Sequence, residues 1–498
     1  MKLLLSEHQS CRISLTEGSE LKNHFHFSED AFTKINPEKI RVIKKDRSGK
    51  ELFPFKLQSK ENAYVLNADY YVGIDWLVKD EKFVQVEPKI NRAVVKAFLA
   101  QAEVSVEDIK ESKDIASKAK DEIKEESSLI EIDYLKILLE ISSNPLITDE
   151  IPKILTIDWE ASQIPIEQKD DRLTPFLIVQ FLKLLKTIVR KGLRKSYYKV
   201  QENLQNRVKG KILVGQHIKQ NVFKNRFTQT YCEYQEFGVD HIENRFLKKV
   251  FLFAIEYVQN DKVLLTAHKD ALMEIINYCR PAFEHVSNAI KEQEVKNMKY
   301  NPFFKEYKSA VKIGSYILKK FAYNISNTSK NQVTTPPFWI DMPILFELYF
   351  YHQLIKHNPS QAKCIHYQLS TYGNSLDILI SHPDYQMIVD TKYKLQYKHS
   401  RVHKDIRQVS GYARLNKIRK ELKLGDDKDK IIDCLIVYPN LESSLDFDFS
   451  LENVNKSMRE SPINDYYKVF KLGISLPLIK TESPPSSHTF PTCDQQPI

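Results

Sequence analysis

The sequence predicts a multidomain α+β and α/β protein. It divides into a β-rich N-terminal domain over 1–128, a helical middle over 129–330, an α/β domain over 331–480 and a disordered tail over 481–498. Three observations predict this. "KIRVIKK" and "KFVQVEPKI" alternate apolar and polar residues, the period of half-buried strands. The middle carries long helical periodicities. Beyond residue 337 the pattern runs helix, three strands, helix, strand.

Taken in order, polar turns such as "DRSGKE" separate the N-terminal strands, and from Asn91 the pattern turns helical. Residues 105–128 are dense in charge and nearly empty of large apolar side chains, which predicts a solvated helix or an inserted linker. Thr174 and Pro175 suit the cap and first residue of a helix running through "FLIVQFLKLLKTIVRKGLRKSYYKV". Further helices fit "HIENRFLKKVFLFAIEYV", "KDALMEIINYC" and "NPFFKEYKSAVKIGSYILKKFA". The polar, proline-ended "ISNTSKNQVTTPP" marks a domain boundary. After it, helices fit "DMPILFELYFYHQLIKH" and "VHKDIRQVSGYARLNKIRKEL"; strands fit "CIHYQLS", "SLDILIS", "QMIVDTKYK" and "IIDCLIVYP". The proline- and serine-rich end lacks the apolar content of a core.

Composition narrows the class. In 498 residues, 42% are hydrophobic and 28% charged, ordinary for a chain with real cores. The net charge of +9 fits a nucleic-acid partner. Cys11, Cys232, Cys279, Cys364, Cys434 and Cys493 are scattered with no CxxC pair, which argues against structural zinc and a disulfide framework. No apolar run approaches the roughly 20 residues of a membrane span, and "MKLLLSEHQS" is too short in apolar residues for a signal peptide. A cytoplasmic protein with no membrane partner is expected.

The chemistry concentrates in "SLDILISHPDYQMIVDTKYK". Asp390 and Lys392 stand two apart on one strand, so their side chains leave the same face. A tight turn at "SHPDYQ" makes a hairpin and brings Asp377 beside Asp390. Two adjacent carboxylates repel unless a cation lies between them, and oxygen ligands suit Mg²⁺, with Mn²⁺ as the alternative ion. A lysine beside that metal can orient or help deprotonate water and offset charge growing on phosphorus. Glu347 sits in the apolar "LFELYF" of the preceding helix; Asp405, Gln408 and Tyr412 fall at i, i+3 and i+7 on the following one. Singly each is bland: a D-x-K is common on exposed strand faces, and a helical Glu is usually solvated or salt-bridged. Their order along the chain is not.

These residues resemble the PD-(D/E)xK nuclease superfamily and, more closely, the McrC family, the nuclease subunit of McrBC-type modification-dependent restriction systems. "IVDTKYK" resembles the catalytic strand and "LFELYF" the helix before it. "YVGIDWL…FVQVEPKI" resembles the N-terminal region, and "KGLRKSYYKV…NRVKGKI…YQEFGVDHIENRFLKKV" the middle. "DIRQVSGYARL" and "CLIVYP" match the end of the core, so the likeness touches about 70 to 475. It implies a restriction-endonuclease-like core, Asp377 and Asp390 as metal ligands, Lys392 as the catalytic lysine, Glu347 as an accessory acid, and Gln408 and Tyr412 as the helix pair. Leu376 replaces the proline that names the superfamily, as in many members. The charged 105–128 stretch and the long middle exceed the family's expected length.

From Lys392 to Lys420 ten Lys/Arg stand against one acid, Asp405, beside the expected site. Lys394, Arg401, Lys404 and Arg407 are the expected DNA contacts there. From Arg190 to Arg226 eleven Lys/Arg stand against Glu202 alone, which suits either DNA or a solvated helix face. No G-x-x-x-x-G-K-S/T occurs, so the chain is no P-loop motor. The resemblance implies a separate McrB-like AAA+ GTPase oligomer, docked by the N-terminal third around Gly73, Pro88 and Lys89. From the residues alone, Gly73 and Pro88 suit a turn and a strand end. Two other functions fit less of the sequence: a RecB-like repair nuclease, and a non-cleaving adaptor that stimulates an AAA+ NTPase.

Overall fold

The computed structural model describes residues 2–479, apart from 8, 16–23, 38–39, 41, 46–50, 61–62, 92–128, 143, 145, 148–149, 168–170, 261–267, 291–303, 326–331, 372–373, 394–398, 425–429, 441–446 and 464–465. The charged 105–128 stretch, the tail and Lys394 lie outside the described residues. The protein is mixed α/β with several sheets. No described helix is long and apolar enough to cross a membrane. The five described cysteines are free thiols.

Two sheets form the N-terminal part. One has the order Lys2–Ser6, Lys82–Glu87, Tyr71–Val78, Phe338–Asp341, Leu155–Ile157; the other runs His24–His26, Ser10–Ser14, Ala63–Ala68, Phe55–Lys60. Leu3, Leu5, Val84 and Val86 pack with Cys11, Ile13 and Leu66 in their shared core. Trp339 joins that core, so a strand beyond the expected boundary at 331 belongs to the N-terminal sheet. Gly73 is not in a turn. It lies opposite Trp339 inside a strand, where a Cβ would stand 2.0 Å from the Phe338 carbonyl oxygen. Pro88 does end its strand, and its carbonyl accepts from Ile132 N at 2.9 Å. Of "KIRVIKK", only Lys44–Lys45 is strand.

The middle is not wholly helical. Helices Leu173–Lys191, Ile242–Asn260, Lys269–Cys279 and Lys305–Ile325 pack together. The first starts with its Thr174 amide held by Asp171 and stops at Gly192, whose φ of 87° an L side chain resists. "SYYKV" therefore opens a strand, Ser196–Gln205, and does not extend the helix. It pairs antiparallel with Gln229–Gly238, which also carries Lys211–Ile212. Part of the expected linker is strand too: Gln332–Thr335 pairs with Ile164–Glu167.

The C-terminal sheet orders its strands Ile365–Thr371, Asn374–His382, Tyr385–Thr391, Asp433–Pro439, Val469–Ile474. The first three are antiparallel neighbours and the last two join in parallel. Helix His399–Tyr412 covers one face, with Ile406 and Val409 on Leu379, Ile388, Cys434 and Ile436. Helices Met342–His357 and Leu451–Arg459 cover the other, with Leu345, Phe346 and Val454 against Ile378, Val389 and Leu435. Burial on both faces explains why "DCLIVYP" reads as one apolar run. The helix expected over 402–422 is broken: Tyr412 ends one helix and Asn416–Glu421 is a second.

Candidate active site

The "SHPDYQ" hairpin forms. Its register runs from His382 opposite Tyr385 to Ile378 opposite Val389, which leaves Asp377 and Asp390 as the next pair outward. Asp377 Oδ2 accepts from Thr391 N at 2.8 Å and from Thr391 Oγ1 at 3.0 Å, so its carboxylate crosses to the neighbouring strand. Lys392 follows the last strand residue and keeps the ladder going, donating its backbone N–H to Val437 O at 2.8 Å. Its Nζ lies 2.7 Å from Asp390 Oδ2, with side-chain exposures of 15% and 1%. The angle of that ion pair falls short of a hydrogen bond, so the buried Asp390 Oδ2 has no hydrogen-bond donor.

Both neighbouring helices reach this end of the sheet. Lys392 Nζ also donates to Gln408 Oε1 at 3.3 Å, and Gln408 Nε2 donates to Tyr412 Oη at 2.8 Å. The Gln–Tyr pair four apart thus steadies the lysine. Arg407 and Lys404 are exposed on this helix, and Asp405 is buried beneath it. The side chain of Arg401 lies outside the described residues. From the other face, Glu347 accepts from Gln368 Nε2 at 3.2 Å. Its charge is the strongest neighbouring influence raising the Asp377 pKa.

The electrostatics are those of crowded acids. Burial pushes Asp377 up to about 7, the Glu347 charge adds to this, and Lys392 and Thr391 oppose it. Burial likewise pushes Asp390 up to about 7, against the pull of Lys392. Burial raises Glu347 as well. Burial alone would lower Lys392, but Asp390 and Asp377 outweigh it and hold the ammonium charged. A divalent cation replacing the acid protons would relieve this strain. Asp377 and Asp390 offer it carboxylate oxygens, a donor set suited to Mg²⁺ with retained waters. Among the described residues no group of three or more His, Cys, Asp or Glu side chains converges to hold a metal.

Two residues that sequence reasoning missed complete the site. Thr391, the middle residue of the D-x-K, fixes Asp377 through both its amide and its hydroxyl. Gln368 sits between the Tyr367–Ile378 and Leu369–Leu376 pairs with φ of 48°, and it holds Glu347. A threonine between two charged residues is a weak signal; nothing in "HYQLS" announces the turned backbone.

A family model described as McrBC 5-methylcytosine restriction system component matches residues 66–422. No curated protein matches the chain. Two solved structures are similar to it. A chain of the refined half-complex from the tetradecameric assembly of Thermococcus gammatolerans McrB AAA+ hexamers with bound McrC is 14% identical, with a TM-score of 0.37 over 95% of this chain and 94% of that one. A chain of the Thermococcus gammatolerans McrBC complex is 13% identical, with a TM-score of 0.27 over 72% of this chain and 88% of that one. Likenesses this distant establish neither fold nor function. The family match is broad: it runs from the strand Ala63–Ala68 to Leu422, through the whole cluster around Asp377, Asp390 and Lys392. The chain belongs to the McrBC 5-methylcytosine restriction system component family.

Proposed function

We propose that this restriction-system component is the DNA-cutting subunit of its complex, a Mg²⁺-dependent endonuclease with a PD-(D/E)xK core in residues 331–480. One observation carries the reading: Asp377, Asp390 and Lys392 converge at the open end of a hairpin with two acids held near pKa 7 and a lysine held charged. A mixed five-stranded sheet covered on both faces supports the core assignment. The buried Asp390 Oδ2 without a donor supports a cation there.

Asp377 and Asp390 would hold the ion, which when bound supplies a water acidic enough to attack phosphorus at neutral pH. Lys392 stays protonated, orients that water's neighbourhood and offsets charge on the phosphate oxygens. Gln408, steadied by Tyr412, keeps the ammonium in place. Glu347 adds a third carboxylate behind Asp377. Lys404 and Arg407 are the phosphate contacts on the exposed helix face.

The partner in this proposal is a McrB-like AAA+ oligomer hydrolysing GTP, because the chain has no P-loop of its own and the similar solved structures contain McrB hexamers with bound McrC. Docking is assigned to the N-terminal sheets. The test is co-purification with the neighbouring AAA+ gene product, then cleavage of 5-methylcytosine-containing and unmodified duplex with Mg²⁺ and GTP. Cutting restricted to modified DNA, partner and nucleotide is expected. Robust cutting of unmodified duplex by the chain alone, without nucleotide, would move the function to a stand-alone or repair nuclease.

A further inference from the structure

The residue after the site lysine faces away from the site and reaches the start of the chain. Tyr393 is 3% exposed and donates its hydroxyl to Glu7 Oε2 at 3.1 Å, across 386 sequence positions. Its ring meets Tyr70 edge-on at 6.3 Å between centroids, and Phe346 at 5.8 Å. Glu7 directly follows the N-terminal strand Lys2–Ser6, and its amide donates to Glu87 O at 3.2 Å, so the N-terminal sheet fixes its backbone. Tyr70 O accepts from Met342 N, the first residue of the helix bearing Glu347. Lys392 and Tyr393 therefore straddle a seam. One side chain serves the acid cluster and the other is held by the N-terminal sheet.

Packing alone does not explain Glu7. It is 4% exposed, its Oε1 has no hydrogen-bond partner, and burial pushes its pKa up to about 8. A buried carboxyl with one oxygen unsatisfied costs stability that an apolar side chain would not. Phenylalanine at 393 would keep the ring contacts with Tyr70 and Phe346. The hydroxyl and carboxyl add a directional tie, and directional ties fix backbone position where apolar contacts allow slip.

We propose that Glu7 is a positioning residue for the acid cluster: through the Tyr393 hydroxyl it holds the backbone that carries Lys392, and it links the N-terminal sheet to the site. The inference rests on the cluster being the cleavage site. Glu7 touches neither substrate nor metal. Its effect is on where Lys392 Nζ stands relative to Asp390 and Gln408, and so on the rate of cutting rather than on DNA affinity. A partner docked on the N-terminal sheets would act on the site through the same contact.

The experiment uses the full chain with its AAA+ partner and compares Tyr393→Phe, Glu7→Ala, Glu7→Gln, the double variant Glu7→Ala/Tyr393→Phe and Lys392→Ala. Tyr393→Phe and Glu7→Ala should each slow cleavage at saturating DNA about tenfold, with half-saturation unchanged. The double variant should be no slower than either single, because both break one linkage. Glu7→Gln keeps an accepting oxygen and should restore the rate. A second readout needs no activity: hydrogen exchange at the Lys392 amide, bonded to Val437 O, should speed up in Tyr393→Phe and Glu7→Ala. Wild-type cutting or unchanged exchange in both single variants, with Lys392→Ala inactive, overturns the linkage alone. Additive losses, or Glu7→Gln as slow as Glu7→Ala, also overturn it. Wild-type cutting by Lys392→Ala overturns the site itself and this inference with it.

Discussion

Two lysine–aspartate pairs lie buried in this molecule, and only one looks like a site. In the helical middle, Lys320 is 2% exposed and donates to Asp171 Oδ2 and to Thr174 Oγ1. Asp171 in turn accepts from the Thr174 amide and hydroxyl. Acid, lysine and helix start form a closed network in which one carboxylate serves one ammonium. At the C-terminal sheet, Lys392 faces Asp390 with Asp377 close by and Glu347 behind. Acids outnumber the lysine, Asp390 Oδ2 has no donor, and the lysine is partly exposed. Burial lowers the pKa of Lys320, whereas the surplus acid raises that of Lys392. Burial of an ion pair therefore does not mark chemistry. An excess of one charge, an unfilled oxygen and access to solvent together do.

The largest expected effect tests the open pair. Asp377→Ala, Asp390→Ala and Lys392→Ala should each reduce Mg²⁺-dependent cutting by about 10³-fold or more, because the three groups act on one transition state. Circular dichroism and co-purification with the partner should match wild type. Near wild-type cutting by any of the three would erase the contrast. The closed pair should answer in the opposite currency. Asp171→Ala leaves a buried lysine uncompensated and should cost about 3–5 kcal/mol in urea unfolding. The rate per folded molecule should stay unchanged, and a folded Asp171→Ala protein that fails to cut would show that the closed pair serves the chemistry too.

The pH dependence separates the pairs next. Folding raises the Asp377 and Asp390 pKa values to about 7, above the ordinary carboxylate range. A raised acid disfavours its charged form in the folded state, so it removes stability as pH climbs from about 4 to about 7, then levels off. Mg²⁺ must displace those protons. Calorimetry in two buffers of different ionisation heat should show proton release on Mg²⁺ binding at pH 6 and almost none at pH 8. In Asp377→Asn/Asp390→Asn that release should vanish. Equal proton counts at both pH values would mean that the acids are not the ion's ligands.

Much of the site was legible in the sequence because the hairpin is local. A two-residue turn fixes the register, and the D-x-K spacing fixes the face, so "SLDILISHPDYQMIVDTKYK" contains its own geometry. The helices of the middle were legible from their period. The arm from Ser196 to Gly238 was not. "SYYKV" continues an amphipathic helix by composition, and only Gly192 at positive φ turns it into a strand. Its antiparallel partner also brings acids that a count along the chain cannot see: Lys199 lies 3.7 Å from Glu233, and Lys209 3.2 Å from Glu236. The basic run Arg190–Arg226 is thus partly neutralised in space. Trp339, Gln368 and Glu7 escaped for one reason: their partners are distant in sequence, and no local pattern encodes them.

The smallest effect concerns exposed charge, the third setting in which this chain uses cations. Lys404 and Arg407 stand on the outer face of helix His399–Tyr412, one turn from Gln408 at the site. Solvent screens them, so they add little to stability. Their use is with a polyanion, where each neutralised phosphate releases a condensed counterion. Lys404→Glu/Arg407→Glu should weaken DNA binding about tenfold near 0.1 M salt and lower the log–log salt slope by about 2. Cutting at saturating DNA should hold within about twofold, since neither side chain touches the acids. The matched control is Lys199→Glu/Lys209→Glu on the arm, whose cations already face Glu233 and Glu236. That variant should leave the salt slope unchanged. A steeper loss from the arm than from the helix would reverse the assignment, making the Ser196–Gly238 sheet the DNA contact and leaving the site helix merely solvated.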